Sequence, residues 1–179
     1  MQIEKGLLAE ARQANSPNCD ERTCDISLLI VHGISLPPGE FGGPWIDALF
    51  TNTLDPDEHE YFKEISHLRV SSHILIRRDG ELVQYVPFEK RAWHAGESQF
   101  DGKSCCNDFS IGIELEGTDE LAYTDEQYHQ LAELIAVLQM RYPAISPDNI
   151  VGHSDVAPGR KTDPGPAFDW PRLRKLLSV

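Results

Sequence analysis

Residues 26–32, Ile-Ser-Leu-Leu-Ile-Val-His, form an almost continuous apolar run that ends on an imidazole. Such a run predicts a strand buried on both faces. Downstream, residues 33–44 hold three prolines and four glycines and read as a loop. Trp45, Ile46, Leu49 and Phe50 then recur at helical spacing, with Pro44 suited to a first turn. Residues 53–66 are acidic and mostly polar, and Tyr61, Phe62 and Ile65 suggest a short helix or an ordered loop there. Residues 72–77 and 82–86 flank Asp79-Gly80, which predicts a hairpin closed by a type I′ turn. Residues 110–115, Ser-Ile-Gly-Ile-Glu-Leu, alternate and predict another strand. Thr124 and Gln127 form a capping box ahead of the stripe Tyr128, Leu131, Leu134, Ile135 and Leu138. That helix is expected to end at Tyr142, before Pro143. A short strand over residues 150–153, a rigid loop over 154–169 stiffened by Pro158, Pro164 and Pro166, and a final helix from about Trp170 to Leu177 complete the chain. Upstream, residues 13–25 are polar and read as an irregular lead-in. The mixed order of strands and helices predicts an α/β fold, with one domain over 1–179 and a central mixed β-sheet flanked by helices.

Composition narrows the function. The chain has 179 residues, enough for one domain with its own core. Sixteen Lys and Arg against 29 Asp and Glu leave a net charge of −13. That balance argues against nucleic acid and anionic membrane as partners, since both reward surplus positive charge. No apolar run approaches the roughly 18 residues of a membrane span. Met1 to Arg12 is interrupted by charge and lacks an apolar signal core, so a cytoplasmic location is expected. The four cysteines, Cys19, Cys24, Cys105 and Cys106, are then expected to remain free thiols, and their spacing matches no usual structural zinc pattern.

Position sorts the seven histidines. His32 and His153 each end an expected strand beside a rigid loop, where sites in α/β proteins gather. Asp163 follows ten residues after His153. Two imidazoles and a carboxylate suit a catalytic zinc ion with a fourth position open; packed, hydrogen-bonded histidines are the plain alternative. On the strand 110–115, Ser110, Gly112 and Glu114 share one face, so Glu114 lies beside a residue without a side chain. A carboxylate there suits a general base acting on water, or else a salt bridge. Glu116 shares that face nearer the loop and is an alternative base. Lys161, two positions before Asp163, suits an oxyanion stabiliser or a solvated surface lysine. His94, in Ala92-Trp93-His94-Ala95-Gly96, suits either substrate contact or a structural role. His73 reads as a core or sheet-face residue, and His59, His67 and His129 as surface residues. Nothing local lowers a thiol pKa at Cys105-Cys106.

Four blocks carry a resemblance: residues 28–50 (LLIVHGISLPPGEFGGPWIDALF), 67–96 (HLRVSSHILIRRDGELVQYVPFEKRAWHAG), 106–128 (CNDFSIGIELEGTDELAYTDEQY) and 152–170 (GHSDVAPGRKTDPGPAFDW). From about Leu7 to Leu177 the chain resembles the AmpD family, cytoplasmic 1,6-anhydro-N-acetylmuramyl-L-alanine amidases of Gram-negative bacteria. The resemblance implies the amidase fold shared with peptidoglycan recognition proteins. It implies one Zn²⁺ held by His32, His153 and Asp163, Glu114 as acid/base and Lys161 on the oxyanion. It also implies an anhydromuramyl-peptide substrate, recycling of cell-wall fragments, and a link to β-lactamase regulation. A monomer is expected.

Two positions depart from the family's pattern. Gly33 stands where an Asn follows the first ligand histidine, and Cys105 where an Arg precedes Cys-Asn-Asp. By the resemblance both lie near substrate, and a lost Arg removes a bidentate carboxylate donor. Arg69 remains as the candidate for a peptide carboxylate. Two other readings compete: a muropeptide-binding module without catalysis, and a secreted amidase acting on intact wall. The complete residue set argues against the first, and the missing signal core against the second.

Overall fold

In the computed structural model, which describes residues 1–178, six strands form one mixed sheet. They are β1 (Arg12–Gln13), β2 (Leu28–Ile34), β3 (Ile74–Ile76), β4 (Leu82–Gln84), β5 (Ser110–Glu116) and β6 (Ile150–Gly152). Their spatial order is β6-β2-β5-β3-β4-β1. β2 runs parallel to both β5 and β6, β5 parallel to β3, and β1 parallel to β4, while β3 and β4 are antiparallel. The helices are α1 (Trp45–Phe50), α2 (Phe62–Ile65), α3 (Asp125–Arg141), α4 (His153–Val156) and α5 (Trp170–Leu177).

Side-chain alternation assigns the two faces of the sheet. Leu29, Val31, Ile111, Ile113, Leu115, Ile74 and Ile76 pack with Leu131, Leu134, Ile135 and Leu138 of α3. Each of those buried helix side chains contributes about 1.5–3 kcal/mol. On the opposite side, Leu75, Val83 and Tyr85 meet Ile46, Leu49 and Phe50 of α1 and Phe62 of α2. α3 starts at the expected capping box, with Thr124 accepting from Gln127 N–H. The Gln127 amide also donates to the carbonyls of Ile76 at 3.1 Å and Glu116 at 2.9 Å, tying the helix to the ends of two strands. Its capping residue is Tyr142, next to Pro143, which has no N–H to continue the ladder.

The sequence expectations are corrected in four places. β2 begins at Leu28 and continues through Gly33 to Ile34, because seven-residue pairing with β5 holds the strand past the imidazole. The hairpin forms, but only Gly80 of the Asp79-Gly80 pair has positive φ, at 88°. Gly80 N–H donates to Arg77 carbonyl at 2.9 Å and Arg77 N–H to Glu81 carbonyl at 2.9 Å. This is a type I turn followed by a left-handed glycine, not type I′. The lead-in is irregular over residues 14–18 and 22–25 but carries two short strands: residues 12–13 form edge strand β1, and Cys19–Glu21 pairs antiparallel with Lys90–Ala92. Backbone pairing at an edge tolerates polar side chains, so this segment carried no apolar signal. Finally, residues 154–169 are not all loop. β6 ends at Gly152 and His153 opens the one-turn helix α4, where Asp155 accepts from Gly152 N–H at 2.7 Å.

Candidate metal centre and active site

Register brings the site together at the carboxyl ends of three parallel strands. Glu114 of β5 stands opposite His32 of β2, so their side chains are neighbours on one face. Gly152 of β6 stands opposite Val31, and the next residue, His153, enters α4 beside His32. Asp163 arrives on the following loop, whose carbonyl accepts from Ser154 N–H at 3.0 Å. Tyr123 Oη donates to Pro164 carbonyl at 2.9 Å, holding the adjoining residue. A cavity of about 300 Å³ opens on this end. Its lining includes the polar residues His32, His94, Glu114, His153, Lys161 and Asp163 and the apolar or aromatic residues Leu36, Leu49, Tyr61, Ile65, Leu68 and Val70.

Three donor atoms converge. His32 Nδ1 and His153 Nδ1 lie 3.0 Å apart, and Asp163 Oδ2 lies 3.3 Å and 3.1 Å from them. His153 Nε2 faces Ala95 carbonyl at 3.2 Å. A carbonyl only accepts, so the proton sits on Nε2 and a neutral ring points its Nδ1 lone pair at the carboxylate. Burial lowers the His32 pKa to about 4, which keeps that ring neutral. Lone pairs aimed at one point repel unless a cation lies between them. Tetrahedral zinc with bonds of about 2.0 Å spaces its donors by about 3.3 Å. The donor set, two imidazoles and one carboxylate, therefore fits Zn²⁺.

Glu114 is buried on the cavity side, and among the described residues no protein group hydrogen-bonds its carboxylate. Burial pushes its pKa well above the ordinary value, Asp163 adds to the rise, and Lys161 opposes it. Lys161 is exposed and lines the same cavity. Glu116 is not an alternative base. Its carboxylate is committed to Arg77 at 3.2 Å and accepts Gly42 N–H at 2.7 Å.

The space beside Gly112 is not open for substrate. The His94 ring fills it, and a Cβ on Gly112 would lie 2.5 Å from His94 Cγ. His94 Nδ1 is 2.9 Å from His32 Nε2, so this histidine is tied to the His32 ring while also lining the cavity. Gly33 lines the cavity too, and a Cβ there would lie 2.4 Å from Tyr123 Oη. Cys105 is exposed and outside the lining, with φ at 60°. Arg69 lies between the lining residues Leu68 and Val70, but its guanidinium donates to the carbonyls of Ser66, His67 and Leu68. The four cysteines stand unbridged. Sequence reasoning missed Tyr123, the Ala95 carbonyl and Tyr61. The paired glycines 33 and 117, which leave room for the Tyr123 ring, were the available signal for the first.

The model of the N-acetylmuramoyl-L-alanine amidase family matches residues 22–166. The chain is 67% identical to the 1,6-anhydro-N-acetylmuramyl-L-alanine amidase AmpD of Salmonella typhimurium, over 98% of this chain and 95% of that protein. A crystal structure of a selenomethionine derivative of AmpD superposes with a TM-score of 0.97, at 65% identity and 99% of both chains. The Escherichia coli amidase AmiD, solved with anhydro-N-acetylmuramic acid-L-Ala-D-γ-Glu-L-Lys, superposes at 0.62 with 30% identity, over 91% of this chain and 59% of that one. With most of its length inside the family's pattern and relatives this similar along nearly their whole length, the chain belongs to the N-acetylmuramoyl-L-alanine amidase family and is an amidase.

Proposed function

We propose that the protein is a zinc amidase that hydrolyses the bond between the lactyl group of 1,6-anhydro-N-acetylmuramic acid and L-alanine of the stem peptide. In this reading residues 1–179 act as one catalytic domain, a cytoplasmic monomer that recycles wall fragments. The observation that carries it is the convergence of His32 Nδ1, His153 Nδ1 and Asp163 Oδ2 beside Glu114, which is buried and has no hydrogen-bonding protein partner among the described residues. The relatives' names and the substrate bound to AmiD supply the bond.

His32, His153 and Asp163 would hold the ion. When bound there, Zn²⁺ supplies Lewis acidity, polarising the scissile carbonyl and acidifying water. Glu114 accepts a proton from the attacking water and returns it to the departing amine of L-alanine. Its carboxylate is buried and lines the cavity, where both halves of that transfer take place. The Lys161 ammonium lies on the cavity side of the loop and offsets the oxyanion charge that develops on the carbonyl.

The test is mass spectrometry of anhydromuramyl-tripeptide incubated with the purified protein. Free tripeptide is expected, its release stopping with a zinc chelator and resuming when zinc is restored. Intact substrate in the presence of stoichiometric zinc would instead favour a binding protein.

A further inference from the structure

We infer that the dipeptide His94-Ala95 orients both ligand imidazoles, and that Asn107 and Ser110, which touch no metal ligand, are the positioning residues that seat it. The inference rests on the metal reading above. Asn107 lies in a one-turn 3₁₀ helix, Cys106–Asp108, entered through left-handed Cys105. Its single carbonyl Oδ1 accepts the backbone N–H of His94 at 3.1 Å and that of Ala95 at 2.8 Å. Two donors on one oxygen fix the orientation of that stretch of backbone. From it, the His94 ring reaches His32 Nε2 at 2.9 Å and the Ala95 carbonyl reaches His153 Nε2 at 3.2 Å. One backbone element thus sets both ligands.

The direction of the hydrogen bonds decides which ring nitrogens are free. His153 must donate from Nε2 to the carbonyl, leaving Nδ1 as the ligand atom. His32 reaches the same state when its Nε2–H donates to His94 Nδ1. His94 Nε2–H then donates to Ser110 Oγ, which lies at 3.2 Å. Ser110, on β5 two residues before Gly112, therefore completes a chain that runs outward from His32. Partners that hydrogen-bond a ligand directly change metal affinity by about 10–100-fold when removed, and Asn107 and Ser110 act through two such partners, the His94 ring and the Ala95 carbonyl.

The experiment measures Zn²⁺ affinity of the full chain by competition with a chromophoric chelator, and the visible absorption of the Co²⁺-loaded protein as a report on ligand geometry. Asn107→Ala is expected to lose about 10–100-fold in Zn²⁺ affinity and to change the Co²⁺ bands. Asn107→Asp, whose carboxylate accepts the same two N–H groups, is expected to recover most of that loss. Ser110→Ala removes only a hydroxyl and is expected to move both readouts the same way by less, and it keeps the test decisive if Asn107→Ala does not fold. Folded Ser110→Ala or Asn107→Ala with wild-type affinity and unchanged bands overturns the inference. So does an equal loss in Asn107→Ala and Asn107→Asp, which would mark a packing defect. A wild-type chain that takes up no Zn²⁺ overturns the metal reading itself, and this inference with it.

Discussion

Two carboxylates two residues apart on β5 have different fates, and their partners explain why. Glu114 has no hydrogen-bonding protein partner among the described residues and faces the cavity, so its charge is costly and its proton is available. Glu114→Ala is expected to retain zinc and to lose about 10²–10⁴-fold in turnover, the usual scale of general acid–base catalysis. Zinc content by elemental analysis beside a turnover assay checks this, and unchanged turnover would remove Glu114 from the mechanism. Glu116 is held by the Arg77 guanidinium and backbone N–H groups. Arg77→Ala leaves that charge buried and unpaired, at an expected cost of about 3–5 kcal/mol in urea unfolding with zinc content unchanged. Alternation along the strand placed both residues on one face. It could not separate them, because the partner of Glu116, Arg77, follows the carboxyl end of β3, which only the sheet register brings alongside.

At the scale of elements, β2 and β5 carry the site because their parallel register sets His32 opposite Glu114. β2 was legible in the sequence as an apolar run, β5 from its alternation, and α3 from its capping box and stripe. What escaped was the fit between elements. Gly33 on β2 admits the Tyr123 hydroxyl, which in turn holds Pro164 carbonyl next to Asp163. Gly33→Ala is expected to destabilise by about 1–3 kcal/mol through overpacking, and Tyr123→Phe by about 1 kcal/mol through its lost hydrogen bond. The double variant is expected to cost less than the sum, with a coupling of about 0.5–3 kcal/mol, because Phe withdraws the oxygen that the new methyl group meets. Strict additivity in chemical denaturation would show that the two residues do not compete for that space.

Across the whole molecule, buried neutral histidines make stability depend on pH. His73 is fully buried, accepts Gly112 N–H at 3.0 Å on Nδ1, and has its pKa lowered to about 3, first by burial and then by the Arg22 charge. The unfolded chain protonates this ring near pH ~6.5. Below that pH the unfolded state binds one more proton than the native state, so stability falls with acidification until pH about 3. Glu114 acts in the opposite sense over part of this window, since its raised pKa favours the native state at low pH. A variant isolates the imidazole. His73→Gln is expected to flatten the slope of unfolding free energy by up to one proton, about 1.4 kcal/mol per pH unit, across that window. Parallel wild-type and variant profiles in urea titrations between pH 3.5 and ~6.5 would exclude His73 as the source.

The sequence by itself determined the α/β class, the mixed sheet, the main strands and helices, and, from residue type and spacing, His32, His153, Asp163 and Glu114 as candidate site residues. These follow from local periodicity and from residue chemistry, which a linear chain displays. Tertiary structure alone decided that β1 adds to the sheet edge, that Glu116 pairs with Arg77, and that His94 fills the space over Gly112. It also decided which ring nitrogens face the metal position, through the Ala95 carbonyl and His94. Each of these depends on a partner far away along the chain, and hydrogen bonding and close packing act on distance in space, which residue spacing does not encode.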